Sequence, residues 1–191
     1  MYNFYAYLSR MKYIERWSLM KSTTKENILE HTAEVTFIAH SLCLIAKRVF
    51  NKEIDETKVL TYALYHETSE VITGDLPTPI KYYNPAIKTA YKNIESIANE
   101  KLLSMLPDCL KEDYASFMNQ DTECYEYRLS KAADKISALI KCIEECKIGN
   151  AEFKKAKEGL YQNIMENPTE EVKYFMDNFI QSYSLTLDEL D

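Results

Sequence analysis

Apolar residues recur at intervals of three or four along most of this sequence, a period that predicts α-helices rather than β-strands. The clearest stripe is spaced 3-4-3-4 and runs from Val35 to Val49. Four more stripes have the same period: Phe4, Leu8 and Met11; Val59 and Ala63, continuing to about Glu70; Ile87, Tyr91, Ile94, Ala98, Leu102 and Met105, ended by Pro107; and Leu129, Ala132, Ile136, Leu139 and Ile143. Two further helices are expected at about 151–165 and 169–181.

Glycine and proline mark the ends of these stripes. Gly149 is a stop signal for the stripe that precedes it, and Asn84-Pro85 is a start signal for the next one after the Gly74–Pro79 segment. That segment contains two prolines, which fix φ and remove two backbone donors, so we expect no regular helix there. Since no repeat or linker interrupts the pattern, the sequence predicts an all-α fold, a single-domain helical bundle over residues 1–191.

Composition and charge disfavour some classes of function for this protein. Only three glycines and five prolines occur, which supports long helices. A net charge of −7 argues against general binding to nucleic acid polymers, but it is compatible with a small anionic substrate held by local charge or by a metal. We expect no membrane span, because no stretch approaches the roughly 20 apolar residues that one requires. The start of the chain also lacks the features of a signal peptide.

The five cysteines show no spacing typical of secreted proteins, so we expect reduced thiols and a cytoplasmic location. Cys142 and Cys146 lie four residues apart and would share a helix face. That spacing is compatible with a metal pair, but it fits buried small side chains better.

The chemistry centres on His66, Glu67 and Glu70. Glu70 follows His66 by four residues and Glu67 by three, so on a helix all three side chains would project from nearly one face. An imidazole and two carboxylates on a core-facing stripe are costly unless they are paired or bound to a metal. The alternative is a solvated helix end before a loop.

Three other residues are weaker candidates on spacing alone. His31 and His40 lie nine residues apart, on opposite faces of one helix, so they cannot converge on one metal; we retain His31 and interpret His40 as structural. Asp134 faces away from the stripe that begins at Leu129, so periodicity does not select it. Arg16-Trp17 is compatible with a core tryptophan beside a surface arginine.

The chain resembles the HD-domain 5′-deoxynucleotidases of bacteria over nearly its whole length. The strongest stretch is residues 66–79, where His66-Glu67 stands at the family's His-Asp pair and Gly74–Pro79 matches the family's loop. Other segments that match are Leu8-Ser9-Arg10, Arg16–Met20, Glu26–His31, Lys131–Asp134 and Leu185–Glu189. The loop and Arg16-Trp17 are specific to this branch of the phosphohydrolases.

The resemblance implies a helical HD fold, a homodimer, and hydrolysis of deoxyribonucleoside 5′-monophosphates to deoxynucleosides and phosphate. It implies that a divalent transition metal, such as Co²⁺ or Mn²⁺, is held by four residues: His31, His66, Glu67 and Asp134. It further implies that Glu70 and Asp75 handle proton transfer and the attacking water, and that Arg16 orients the phosphate. Trp17 and the loop residues Asp75, Leu76, Pro77 and Thr78 would shape the sugar site and disfavour a ribose 2′-hydroxyl. The resemblance also implies that His31 contacts the substrate.

The chain departs from the family pattern at Glu67, where the family has aspartate. The extra methylene moves the carboxylate by about 1.5 Å. An active enzyme is our hypothesis, and two alternatives stay open. One is a nucleotide-binding or regulatory protein with weakened catalysis, and the other is an HD hydrolase that acts on a different nucleotide.

Overall fold

A computed structural model describes residues 1–81 and 83–191. In that part of the chain the regular structure is helical, apart from an isolated antiparallel bridge between Glu15 and Asn27. The helices are α1 Phe4–Leu8, α2 Ile28–Arg48, α3 Glu56–Tyr65, α4 Glu70–Thr73, α5 Thr78–Lys81, α6 Pro85–Leu103, α7 Asp108–Met118, α8 Tyr125–Lys147, α9 Lys154–Met165 and α10 Glu170–Asn178. Short 3₁₀ turns cover Ser9–Tyr13, Ala151–Phe153, Ile180–Ser184 and Leu187–Glu189. The predicted all-α fold is confirmed.

The main core lies where α2 and α8 pack against each other and against α3, α9 and α10. The two long helices bury most of the stripes that their sequences predict, for example Leu42 on α2 and Ile136 on α8, but Val49 lies just after α2 and is 44% exposed, and Ala132 is half-buried. A second apolar cluster joins α1, α6 and α7 around Phe4 and Leu102. The long helices therefore form a frame that fixes the relative positions of any side chains at the α2–α8 contact.

Helix α2 is long and apolar enough to cross a membrane by length and composition alone, contrary to the expectation from the sequence. Half of its apolar window is buried against other helices, and the central helix of a globular core passes the same test. Its packing against α3, α8 and α10 explains the apolar composition without a membrane.

The helix ends follow local rules of capping. Asn27 caps α2 by accepting from the backbone N–H groups of Leu29 and Glu30, and Glu30 completes a capping box. Asn84 caps α6 with Pro85 in its first turn, as predicted. Gly149 has φ +89° just after α8, as the stop signal predicts.

Three expectations about the helices need correction. Helix α3 ends at Tyr65 rather than near Glu70. Thr78 and Pro79 begin the one-turn helix α5 rather than continuing the loop, because proline is tolerated in a first turn. Ile94, predicted on a buried stripe, is 50% exposed.

Candidate metal centre and phosphate site

Four side chains from three parts of the fold converge on one point. His31 of α2, His66 and Glu67 of the turn after α3, and Asp134 of α8 each offer one ligand atom, and these atoms lie within 4.8 Å of one another. The resemblance to the HD family implies this same set, but residue spacing alone does not select Asp134. Packing of α2 against α8 brings Asp134 to His31 across the core.

The turn after α3 places His66 and Glu67 in the cluster. The Thr68 hydroxyl donates to the carbonyl of Tyr65 at 2.9 Å, an alternative to the helical backbone pattern. The chain leaves the helix there and returns to it only at Glu70. The predicted single straight helix through these residues is therefore wrong, although the side chains still meet.

The donor atoms fit a divalent cation. His66 Nδ1 lies 2.6 Å from the carbonyl oxygen of Ala63, which only accepts, so Nδ1 carries the proton and Nε2 presents a lone pair. That Nε2 is buried and has no hydrogen-bond partner, although Glu67 Oε1 lies 3.4 Å away and Asp134 Oδ1 3.9 Å away. A buried imidazole nitrogen that lacks a hydrogen-bond partner and faces two carboxylate oxygens can serve with them as a metal ligand. Mixed nitrogen and oxygen ligands suit Mn²⁺, Fe²⁺, Co²⁺ or Zn²⁺.

Asp134 is oriented by contacts on both of its oxygens. Oδ1 lies 3.2 Å from His31 Nε2, and Oδ2 accepts from Lys131 Nζ at 2.5 Å. Burial works to raise the pKa of Asp134, but the charge of Lys131 and the hydrogen bond with His31 outweigh it and hold the pKa well below its usual value. Asp134 is therefore an ionised ligand with one oxygen directed at the histidines.

Glu67 and Glu70 form a coupled pair of carboxyl groups beside the cluster. Burial and the adjacent charge of Glu67 raise the pKa of Glu70. Burial opposes ionisation of Glu67 too, but His66 and the hydrogen bond with Glu70 lower its pKa overall. These opposite shifts of the two pKa values favour Glu70 over Glu67 as the carboxyl group that carries the proton between them.

Arg16 and Trp17 are held by a single carboxylate. Glu26 Oε2 accepts from Arg16 Nη1 at 2.7 Å and from Trp17 Nε1 at 2.9 Å. Burial works to lower the pKa of Arg16, but the charges of Glu26, Asp134, Glu67 and Asp75 raise it. Arg16 is thus a cation that faces the metal ligands, with its guanidinium fixed by Glu26.

The backbone around Arg16 is anchored on both sides. The Arg16 N–H donates to the carbonyl of Glu26 at 3.0 Å in the bridge that precedes α2. Between these two residues the loop reaches α8, where Glu145 accepts from the N–H groups of Thr23 and Thr24 at 2.9 and 3.0 Å. The loop that carries Trp17 is therefore attached to the same helix as Asp134.

The loop from Gly74 to Pro77 closes another side of the site. Gly74 has φ +73° and ψ 164°, a conformation that essentially only glycine adopts. Burial raises the pKa of Asp75, while Arg16, Lys81 and a hydrogen bond from the Trp17 backbone lower it in part. Leu76 and Pro77 are half-buried beyond it, and Thr78 is exposed at the start of α5. Asp75 thus joins Arg16 and Trp17 at the cluster.

Several residues at the site were missed by sequence reasoning. Glu26 and Lys131 bind Arg16 and Asp134 directly, and Ser137 contacts His31. Lys131 and Ser137 each lie three residues from Asp134, so a search for helix neighbours of Asp134 would have found both. His40 is confirmed to lie away from the site, because its Nε2 pairs with Glu56 at 3.2 Å.

Comparison with known sequences decides the family. A family profile described as "5'-deoxynucleotidase YfbR-like" matches residues 3–183. The chain belongs to the YfbR-like family. Among the similar relatives, 5'-deoxynucleotidase PBPRA2627 of Photobacterium profundum is 46% identical over 98% of this chain and 97% of its own length. 5'-deoxynucleotidase VV1113 of Vibrio vulnificus is 48% identical over the same shares.

Solved structures confirm the HD fold of this YfbR-like chain. An HD-domain phosphohydrolase from Listeria innocua aligns with a TM-score of 0.83 at 21% identity, covering 95% of this chain and 88% of that one. The HD phosphohydrolase DatZ of cyanophage S-2L, solved with dA and one catalytic Zn²⁺, aligns with a TM-score of 0.68 at 22% identity, covering 93% and 96%. At these identities the likeness concerns the fold.

Proposed function

We propose that this chain is a metal-dependent 5′-deoxynucleotidase that hydrolyses deoxyribonucleoside 5′-monophosphates to deoxynucleosides and phosphate. The observation that carries the proposal is the convergence of His31, His66, Glu67 and Asp134 within 4.8 Å, with His66 Nε2 left unpartnered. Membership of the YfbR-like family and full-length relatives named as 5'-deoxynucleotidases support the same reaction.

The cluster and Arg16 together suit a phosphate monoester. When bound, the divalent cation would polarise the phosphate and lower the pKa of a bound water. Arg16 presents a planar guanidinium that matches two phosphate oxygens, and Glu26 holds it in place at 2.7 Å. The substrate's negative charge would therefore be neutralised locally, despite the net charge of −7 on the whole chain.

Glu70 and Asp75 are placed to divide the proton transfers. Glu70 adjoins the ligand Glu67, so it would accept the proton of the attacking water once the charge of the cation has favoured its ionisation. Asp75 is hydrogen-bonded to the Trp17 backbone on the nucleoside side, and its raised pKa favours a proton there. As water oxygen bonds to phosphorus and the bond to the 5′-oxygen breaks, Asp75 would protonate that leaving oxygen.

Trp17 and residues 75–78 are the proposed sugar site. Trp17 has φ +62°, its indole packs on Phe153 with ring centroids 5.4 Å apart, and its Nε1 donates to Glu26. A side chain held by these two contacts cannot easily move to admit an additional hydroxyl. We therefore propose that these residues disfavour ribonucleotides, and a penalty of about 3 kcal/mol would give roughly a hundredfold preference.

The first experiment measures phosphate release from matched deoxy and ribo 5′-monophosphates. It uses metal-stripped protein with Co²⁺, Mn²⁺, Mg²⁺ or Zn²⁺ restored in turn, since the native metal is part of the proposal. Release that requires a metal and is confined to the deoxy forms is the expected result. No release with any metal would refute the enzyme and favour a nucleotide-binding protein. Release from other nucleotides alone would favour a different HD hydrolase.

Histidine variants test the site itself. His66→Ala removes the unpartnered ligand atom and should abolish metal retention and reduce phosphate release at least a hundredfold. His40→Ala is the matched control, because His40 is the same residue type outside the cluster, with its side chain 47% exposed. Equal activity of the two variants would contradict the proposed metal centre.

Glu67 has its own test, because it departs from the family's aspartate. Glu67→Ala should reduce both metal content and rate, and unchanged values for both would remove Glu67 from the site. If the wild-type chain binds metal but releases no phosphate, Glu67→Asp shows whether the additional methylene is the cause. Misplacement of a catalytic group by 1 Å can cost on the order of a hundredfold in rate.

Assembly and location are further parts of the proposal. We propose a homodimer, which rests on the family resemblance and is tested by sedimentation equilibrium; a monomer at micromolar concentration would contradict it. We also propose a cytoplasmic location, supported by five cysteines that are all free thiols. Fractionation of cells that express the chain tests the location.

A further inference from the structure

A buried chain of hydrogen bonds leads away from the metal centre on the side opposite the ligand atoms. His31 Nδ1 lies 3.0 Å from the hydroxyl of Ser137, and that hydroxyl donates to Glu34 Oε2 at 2.5 Å. His31 and Ser137 are fully buried, and Glu34 is half-buried on α2, one turn beyond His31. Neither Ser137 nor Glu34 belongs to the ligand or substrate residues that the resemblance implies.

The position of each proton along these hydrogen bonds depends on which groups can donate. An ionised Glu34 only accepts, so the single proton of the Ser137 hydroxyl is directed to it. The serine oxygen then has only lone pairs to offer His31, and Nδ1 must carry the proton. In the neutral ring, Nε2 is left with a lone pair directed at Asp134 Oδ1, 3.2 Å away. In that tautomer a cation bound between Nε2 and Oδ1 takes the place of the proton that would otherwise join these two atoms as a hydrogen bond.

The two histidine ligands reach the same state by different means. His66 Nδ1 donates to the carbonyl of Ala63, and a carbonyl cannot act as a donor, so its tautomer needs no further support. A serine hydroxyl can donate as well as accept, so Ser137 alone would permit either tautomer of His31. The hydrogen bond to Glu34 removes that ambiguity.

We propose that Ser137 and Glu34 are positioning residues that fix the tautomer and ring orientation of His31 for cation binding. The proposal rests on the proposed function only in that His31 is a metal ligand. Partners that orient a ligating histidine typically contribute 10–100-fold to metal affinity. We expect Ser137 to contribute most, because it contacts the imidazole, and Glu34 to act through Ser137.

The first test measures the tautomer of His31 in metal-free protein by long-range ¹H–¹⁵N NMR at alkaline pH. The chain has three histidines, so assignment requires only the His40→Ala and His66→Ala spectra. We expect wild-type His31 to be protonated at Nδ1, and Glu34→Ala to introduce a population protonated at Nε2. An Nε2-protonated His31 in the wild type, or an unchanged tautomer in Glu34→Ala, would overturn the role of Glu34.

The second test measures Co²⁺ affinity of the stripped protein by direct titration. Ser137→Ala should weaken binding by about 10–100-fold. Ser130→Ala is the matched control, since Ser130 is also on α8 and buried, and its hydroxyl has no hydrogen-bond partner. Thermal melting of both variants establishes that they fold. Equal affinities of the two variants would refute the role of Ser137.

The double variant Glu34→Ala/Ser137→Ala tests whether Glu34 acts through Ser137, which we call the relay, or whether the two residues act independently. If Glu34 acts only through Ser137, Glu34→Ala weakens Co²⁺ binding in the wild type but has no further effect in Ser137→Ala. Additive losses would instead show that Glu34 influences the site by its charge alone and would overturn the relay. These readouts do not use phosphate release, so the proposed reaction can fail while the relay is confirmed.

Discussion

Glu145 on α8 anchors the loop that carries Trp17, and its neutralisation should cost the protein considerable stability. Its carboxylate accepts from Lys141 Nζ at 2.6 Å, from the N–H groups of Thr23 and Thr24, and from Asn150 Nδ2 at 2.8 Å. The Lys141 and Glu145 side chains are only 5% and 1% exposed. Glu145→Gln keeps the shape of the side chain but leaves a buried ammonium without its counter-charge.

Breaking a buried ion pair on one side costs about 3–5 kcal/mol. At about 2–4 °C per kcal/mol for a chain of this size, the melting temperature should fall by roughly 6–20 °C. The assay is urea unfolding followed by circular dichroism, with calorimetry as a check on two-state behaviour. Combining Lys141→Met with Glu145→Gln should restore part of the loss, because the unpaired charge is then removed.

The neighbouring Glu144 provides the control. It is exposed, so Glu144→Gln should change stability by no more than about 0.5 kcal/mol. A loss below 1 kcal/mol for Glu145→Gln, or an equal loss in both variants, would refute the argument that the buried pair anchors this loop.

The contacts of Glu145 also predict how the stability of the protein depends on pH. Burial works to raise the pKa of Glu145, but hydrogen bonds from Lys141 and the backbone of Thr24 and Thr23 lower it far below the value in the unfolded chain. A lowered folded-state pKa contributes stability that is fully present above the unfolded value, about 4.3 for glutamate, and is lost as the pH falls below it. The difference in stability between wild type and Glu145→Gln should therefore be largest above pH 5 and shrink below pH 4. A difference that grows on acidification would contradict this sign.

Three further predictions concern residues around the site. Glu26→Ala removes the acceptor shared by Arg16 and Trp17. If substrate binding loses about 1.5 kcal/mol, KM for deoxy monophosphates should rise roughly tenfold. An unchanged KM would show that neither residue needs this anchor. Gly74→Ala has space for its Cβ but retains φ +73°, which is strained for alanine. It should lower the free energy of unfolding, measured in urea, by about 1–3 kcal/mol. An unchanged free energy would show that the loop relaxes. Asn27→Ala removes the cap of α2 and should cost about 0.5–2 kcal/mol by the same assay, whereas Asn27→Gly should cost only a few tenths.

The sequence by itself determined the long helices of this protein. Most of the apolar stripes of α2 and α8 is buried as their period predicts, because a helix in a small core can hide only one face, although Val49 at the end of the first stripe is exposed. It did not predict where α3 ends, since the Thr68 side chain competes for the Tyr65 carbonyl within an otherwise helical pattern. Helix α7 also has no counterpart among the predicted elements.

For the site, spacing alone brought His66, Glu67 and Glu70 together and separated His31 from His40, and the family resemblance added Asp134 and Arg16. Only the tertiary structure decided that Asp134 meets His31 at 3.2 Å, although it faces away from the apolar stripe of its own helix. A period describes one helix, whereas the distance between side chains on α2 and α8 depends on how the two helices pack. The contact of Ser137 with His31 likewise joins α8 to α2, so no local pattern predicts it, and the contacts of Glu26 with Arg16 and Trp17 depend on how the loop between these residues folds.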